Sequence, residues 1–156
     1  MGRWGRVLGL DVGERRIGLA FASALEIGST MVVPAGFLEV HARERAWDEL
    51  KELVEEEGAG AVVVGVPLVG GRETAQTRRV LEFARGLRAV LPEKVEMFGW
   101  DESYSSASAQ GMLAEAELKH SGRAKRGRVD AVAAALILQS FMDAHRTQAL
   151  PGVLPL

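Results

Sequence analysis

The chain has 156 residues, 47% of them hydrophobic and 26% charged, with a formal net charge of −2; this is the composition of one ordinary globular domain large enough to bury a sizeable core. The absence of cysteine excludes disulfides and thiolate metal sites and fits a cytoplasmic protein. No apolar run reaches the roughly 18–20 residues that span a bilayer, and no apolar h-region follows Arg3 and Arg6, so neither a membrane partner nor a signal peptide is expected.

The elements follow in order. Val7 to Phe21 reads as two strands of a hairpin, with a carboxylate, Asp11, closing the first and a charged turn, Val12 to Arg16, between them. Such a carboxylate is costly to desolvate unless a cation or hydrogen-bond donors compensate it. Ser29 to Val40 has the character of a third strand. Ala42 to Glu57 has Ala46, Leu50, Leu53 and Val54 at helical spacing, with Gly58 to end it. Ala61 to Val66 is a continuous apolar run, as in a strand covered on both faces. Pro67 and Gly70-Gly71 close it into a loop. Thr74 is placed to cap a second helix that runs to Val90, and Pro92 stops it. Val95 to Trp100 is the next strand and leads into Asp101 and Glu102. Ser105 to Leu118 reads as a third helix, residues 119–128 as a basic glycine-bearing loop, and Val129 to Ala144 as a last, alanine-rich helix packed on the sheet. Residues 1–147 are expected to form one domain, with 148–156 a loosely held tail. Strands followed by alternating helix and strand give an α/β fold with a mixed sheet.

Charge is uneven along this chain. Glu49, Glu52, Glu55, Glu56 and Glu57 make an acidic stretch, whereas Lys119, Arg123, Lys125, Arg126 and Arg128 follow one another with no acid between them. The local asymmetry says more about partners than the near-neutral total.

Carboxylates stand at three element ends: Asp11, the Asp101-Glu102 pair, and Asp130 opening the last helix. The carboxyl ends of parallel strands share one sheet edge, where sites form. Each acid alone also suits an ordinary role, as turn former, helix cap or partner of a helix dipole. Together they repel one another unless a hard divalent cation sits among them, and an all-oxygen donor set suits Mg²⁺ or Mn²⁺. At a phosphodiester such an ion activates water and stabilises the leaving oxygen. Gly65 to Gly71 lacks the GxxxxGK[ST] spacing of a P-loop; its glycines fit the close approach of substrate or of a neighbouring helix. His41, His120 and His145 make no metal set, and Trp4, Trp47 and Trp100 suit packing better than base stacking.

In these stretches the sequence resembles the YqgF (RuvX) family, RNase H-like nucleases described as Holliday-junction-resolvase-like and as pre-16S rRNA nucleases. The resemblance covers about residues 5–144 and rests on LGLDVGERRIGLAFA (8–22), VVVGVPLVGG (62–71), WDES (100–103) and RVDAVAAALILQSFM (128–142). It implies an RNase H-like mixed five-stranded sheet flanked by helices, with Asp11, Glu102 and Asp130 as catalytic, metal-holding acids and Asp101 as a supporting one. Two departures from the family pattern are visible. Ser103 stands where an arginine commonly follows Asp-Glu, and Ala24 stands where an aspartate often follows the serine. Arg15 and Arg16 beside Asp11, and Lys119, Arg123, Lys125, Arg126 and Arg128, are the candidate nucleic-acid contacts.

The resemblance implies a cytoplasmic metal-dependent endonuclease, monomer or homodimer, acting on structured RNA and maturing the 5′ end of pre-16S rRNA in ribosomal precursor particles. Two alternatives are a resolvase of four-way branched DNA and a non-catalytic nucleic-acid-binding ribosome-assembly factor. Asp11-Val12-Gly13 is also similar to the start of the phosphate hairpin of actin-like ATPases, but one 156-residue domain lacks the second lobe that would close over a nucleotide.

Overall fold

The computed structural model describes residues 4–24, 30–104, 122–146, 153–154 and 156. Strands β1 (Arg6–Val12), β2 (Arg16–Ala24) and β3 (Thr30–Glu39) lead into helix α1 (Arg43–Glu57); β4 (Ala59–Val66), helix α2 (Ala75–Val90) and β5 (Glu96–Asp101) follow. A short 3-10 turn (Glu102–Tyr104) precedes helix α3 (Gly122–Arg146), and Val153–Leu154 form a two-residue strand, β6. The sheet order is β3-β2-β1-β4-β5-β6. The β1–β4 and β4–β5 pairs are parallel, and β1–β2, β2–β3 and β5–β6 are antiparallel. The expected mixed five-stranded sheet is present, extended by β6 from the tail.

Alternation along the strands divides the core into two layers. Leu8, Leu10, Val62 and Val64 face one way and pack with Ala46, Leu50 and Val54 of α1 and Val80, Phe83, Ala84 and Leu87 of α2. Val7, Ala61, Val63 and Trp100 face the other way and pack with Ala134, Ile137, Leu138 and Phe141 of α3. The tryptophans are packing residues: the Trp47 indole N–H donates to the Phe83 carbonyl at 3.1 Å, and that of Trp100 to Ser140 Oγ at 3.0 Å. Trp4 sits against Phe98 and Phe141.

β3 is an edge strand, and its pairing with β2 is irregular. The register shifts between Gly18 and Ala20, Pro34 lies opposite Ala20, and Gly36 has φ +84°. Met31 and Val33 on this strand are exposed.

Most helix ends agree with their sequence signals. Gly58 caps α1 in the left-handed region at φ 64°, a conformation glycine adopts without steric cost. Helix α3 differs from its expectation. It begins at Gly122 rather than Val129, so the stretch read as a basic loop is helical from Gly122 onward, and Arg123, Lys125, Arg126 and Arg128 fall on its first turns. The apolar periodicity used to find helices is silent over GRAKRGR, yet Ala, Arg and Lys are strong helix formers and outweigh the cost of two glycines. Asp130 therefore lies well inside α3 and does not open it. Lys119 and the helix expected over Ser105 to Leu118 are outside the described residues. Among the described residues no helix is long and apolar enough to cross a membrane.

The loop after β4 is tied down from both sides. Val69 and Arg72 exchange two backbone hydrogen bonds of 3.0 Å across Gly70-Gly71, both at positive φ, as a tight hairpin turn requires. Thr74 caps α2: its Oγ1 accepts from the Thr77 N–H at 3.2 Å, while the Thr74 N–H donates to Thr77 Oγ1 at 2.9 Å. The fully buried Thr77 hydroxyl also donates to the Pro67 carbonyl. Thr77→Val keeps the shape but strands the Thr74 N–H and the Pro67 carbonyl. It is expected to lower stability by about 1–3 kcal/mol, read from urea denaturation, while Thr77→Ser retains most of it.

Candidate active site

Asp11 lies near the carboxyl end of β1, level with Gly18 of β2. On its other side Leu10 is level with Val64 of β4, so Gly65 follows beside Asp11. The acid thus stands between two glycines on adjacent strands, and each clears space for one more acid. A Cβ at Gly18 would lie 1.9 Å from the backbone oxygen of Asp130; only glycine lets α3 settle there. A Cβ at Gly65 would lie 2.9 Å from Glu102 Oε1 and 2.4 Å from Ile137 Cδ1. Three elements therefore bring Asp11, Asp130 and Glu102 over one row of the sheet: a strand end, a helix interior and the turn after β5. Alternation places Asp11, like Val7, on the α3 side.

The electrostatics follow from this crowding. Burial, and then the Asp130 charge, push the Asp11 carboxyl up to about 6. Burial, then Asp11, then Asp101, push that of Glu102 up to about 7. Each proton is held because a second or third negative charge in a partly desolvated site is unfavourable. Asp130 has its own counter-charge: Arg16 Nε donates to Asp130 Oδ2 at 2.7 Å, with both side chains partly buried. Such a charge-assisted bond is among the stronger kinds. Among the described residues no three His, Cys, Asp or Glu side chains stand as a ready ligand cluster, consistent with Asp130 being turned to Arg16.

The remaining candidates separate clearly. Asp101 is buried, and its Oδ1 accepts from the Ser103 N–H at 2.9 Å and the Ser103 hydroxyl at 2.7 Å. It caps the turn that carries Glu102, and Ser103 has its own structural role there. Arg15 is exposed at the tip of the β1–β2 turn, where its carbonyl accepts from the Val40 N–H at 2.8 Å. Arg16 is partly buried and engaged with Asp130. His41 is exposed beside Glu39.

Sequence reasoning passed over Gly18 as a site determinant and did not pair Arg16 with Asp130. The first had a signal, a glycine inside an otherwise apolar strand, which marks close approach of another backbone. The second depends on a contact 114 residues apart in sequence, which no local pattern encodes.

A family model, RuvX, described as Holliday junction resolvase, matches residues 5–144. Among curated proteins, one from Chloroflexus aurantiacus named "Putative pre-16S rRNA nuclease" is 39% identical over 142 residues, covering 90% of this chain and 88% of that protein. One of the same name from Salinibacter ruber is 38% identical over 139 residues, covering 88% and 92%. Among solved structures, Thermus thermophilus RuvC in complex with a Holliday junction substrate aligns at a TM-score of 0.61 with 14% identity, covering 96% of this chain and 99% of that one. Fowlpox virus resolvase with Holliday junction DNA aligns at 0.55 with 6% identity, covering 90% and 98%. At these identities the likeness is one of fold.

The crowding has a pH signature. Both carboxyls have folded-state values raised above their ordinary ones, so their contribution to stability is full below about 4, the unfolded range, and is lost as pH rises through about 6 and 7. With divalent cations chelated, the melting temperature is expected to fall between about pH 4 and 7, and Glu102→Gln to flatten that fall, as followed by circular dichroism.

Proposed function

The chain belongs to the RuvX family and with it to the nucleases, hydrolases acting on ester bonds, and from that premise we propose that it is a metal-dependent endonuclease. In this reading it works in the cytoplasm on structured RNA and matures the 5′ end of pre-16S rRNA. The observation that carries the proposal is the row Gly18–Asp11–Gly65, over which Asp130 and Glu102 are gathered.

The donor set fits a hard divalent cation. It is made of carboxylate oxygens, and burial and then neighbouring carboxylates make two of the acids hold their protons abnormally tightly, a strain that a cation would relieve. Asp11, Glu102 and Asp130 would hold Mg²⁺ or Mn²⁺. Bound there, the ion supplies an activated water for attack at phosphorus and stabilises the leaving oxygen. Glu102, with its carboxyl near 7, is the acid most ready to carry a proton before the ion arrives. Arg16 holds Asp130 in place through Oδ2; were that oxygen to serve a cation, the guanidinium would be free for a substrate phosphate. Arg15, at the exposed tip of the turn, meets the backbone further along, and Arg123, Lys125, Arg126 and Arg128, on the first turns of the helix that carries Asp130, are the further candidate phosphate contacts.

A second reading, cleavage of four-way DNA junctions, is favoured by the likeness of fold to RuvC and to Fowlpox virus resolvase, each in complex with a Holliday junction substrate. It calls for two copies, because paired cuts need paired sites. A non-catalytic assembly factor would bind without cutting under any divalent ion.

Cleavage of a labelled pre-16S rRNA fragment and a four-way DNA junction, run side by side with Mn²⁺, Mg²⁺ or chelator, separates these readings. Metal-dependent cutting of the RNA alone is expected. Asp11→Asn should slow it about 10³-fold, the loss of several kcal/mol of transition-state stabilisation; retained turnover would sink the mechanism. Arg16→Ala removes the charge that competes at Asp130, so calorimetry should show Mn²⁺ bound several-fold more tightly while affinity for RNA falls.

A further inference from the structure

A cavity of about 270 Å³ lies at the same carboxyl edge of the sheet, behind the β1–β2 turn, on the face covered by α1 and α2. Its floor is apolar, made by Val12, Val40, Val80 and Phe83, and its mouth carries Arg43, Arg79 and Gln76. Gly13 and Glu14, in the turn that follows the strand of Asp11, complete the lining. Asp11 faces α3, and by alternation Val12, the next residue, faces the cavity. One turn therefore separates the two sites.

We infer that this cavity receives one nucleotide of the substrate strand, base inward, next to the phosphate held at Asp11. The inference rests on the nuclease reading above. The volume is near the lower end for small-molecule sites, roughly 300 Å³, which suits one base and not an extended ligand. An aromatic and aliphatic floor favours a flat ring, and the Gln76 amide offers both a donor and an acceptor for its edge. The two guanidiniums at the mouth suit the flanking phosphate or stacking on the base. Both are held now by exposed partners: Arg79 Nε lies 3.2 Å from Glu14 and Arg43 Nη1 lies 3.7 Å from Glu82. Surface ion pairs of this kind are worth little and exchange easily for phosphate. A strand lying across Asp11 that crosses the turn thus meets, in sequence, an acidic site, the cationic tip at Arg15 and an apolar recess.

The test is two-dimensional NMR of the full ¹⁵N-labelled chain titrated separately with 5′-AMP, 5′-UMP and inorganic phosphate. Both nucleotides are expected to shift Gly13, Gln76, Arg79 and Phe83, and phosphate alone to leave Phe83 unmoved. Arg79→Glu and Gln76→Leu, both at exposed positions, should each weaken nucleotide binding about tenfold. Asp11→Asn should preserve the cavity shifts while losing Mn²⁺ binding. Nucleotide shifts confined to the surroundings of Asp11 and Glu102, the same shifts with phosphate alone, or undiminished affinity in both variants would overturn the inference. Cavity shifts in a protein that cuts neither nucleic acid would leave the nucleotide site standing and remove the nuclease reading; cleavage without cavity shifts would do the reverse.

Discussion

The contact on which the site depends is the seating of the α3 backbone on Gly18. Because β2 has no side chain there, the Asp130 carbonyl comes to rest where a Cβ would be, and the carboxylate of the same residue is delivered beside Asp11. Any larger residue would lift the helix, and close packing transmits such a displacement instead of absorbing it. Gly65 plays the matching part for Glu102. Two absent side chains thus set the spacing of three acids. The unfavourable electrostatics are carried by burial elsewhere: Trp100, Leu138 and Phe141 pack α3 onto the sheet in the same layer.

Arg16 gives this arrangement a resting state. Carboxylates gathered this closely need compensation, and the fold offers it to Asp130 through Arg16, while Asp11 and Glu102 keep their protons up to about pH 6 and 7. A cation held by these acids would compete with both a guanidinium and protons, so its affinity would depend on pH. Asp101 stands apart. Tied to Ser103 by two hydrogen bonds, it shapes the turn that aims Glu102.

Much of this was legible in the sequence, and the residues show why. Strands such as AVVVGV and helices such as that of Leu50 and Val54 are found by periodicity alone, and Thr74 and Gly58 announce helix ends by their chemistry. Asp11 and Glu102 could be placed on one edge because parallel strands share direction. Asp130 lies against Gly18 near that edge, but from the interior of its helix and not from its first turn, since the helix starts at Gly122 and polar, glycine-bearing turns hide such a start. The cavity beneath Arg43 and Arg79 left no trace in sequence, because its walls come from β1, the strand end at Val40, and two helices that meet only in the folded chain.

The two borders of the sheet are finished differently. On one side β6 covers part of β5. On the other, β3 carries a proline, which has no N–H to offer, together with a register slip and a left-handed glycine. These are the devices by which natural sheets refuse an incoming strand. They fall on the strand that displays Met31 and Val33, the place where greasy side chains would otherwise invite polymerisation. The fold is therefore guarded against fibre growth where it is most tempted to it.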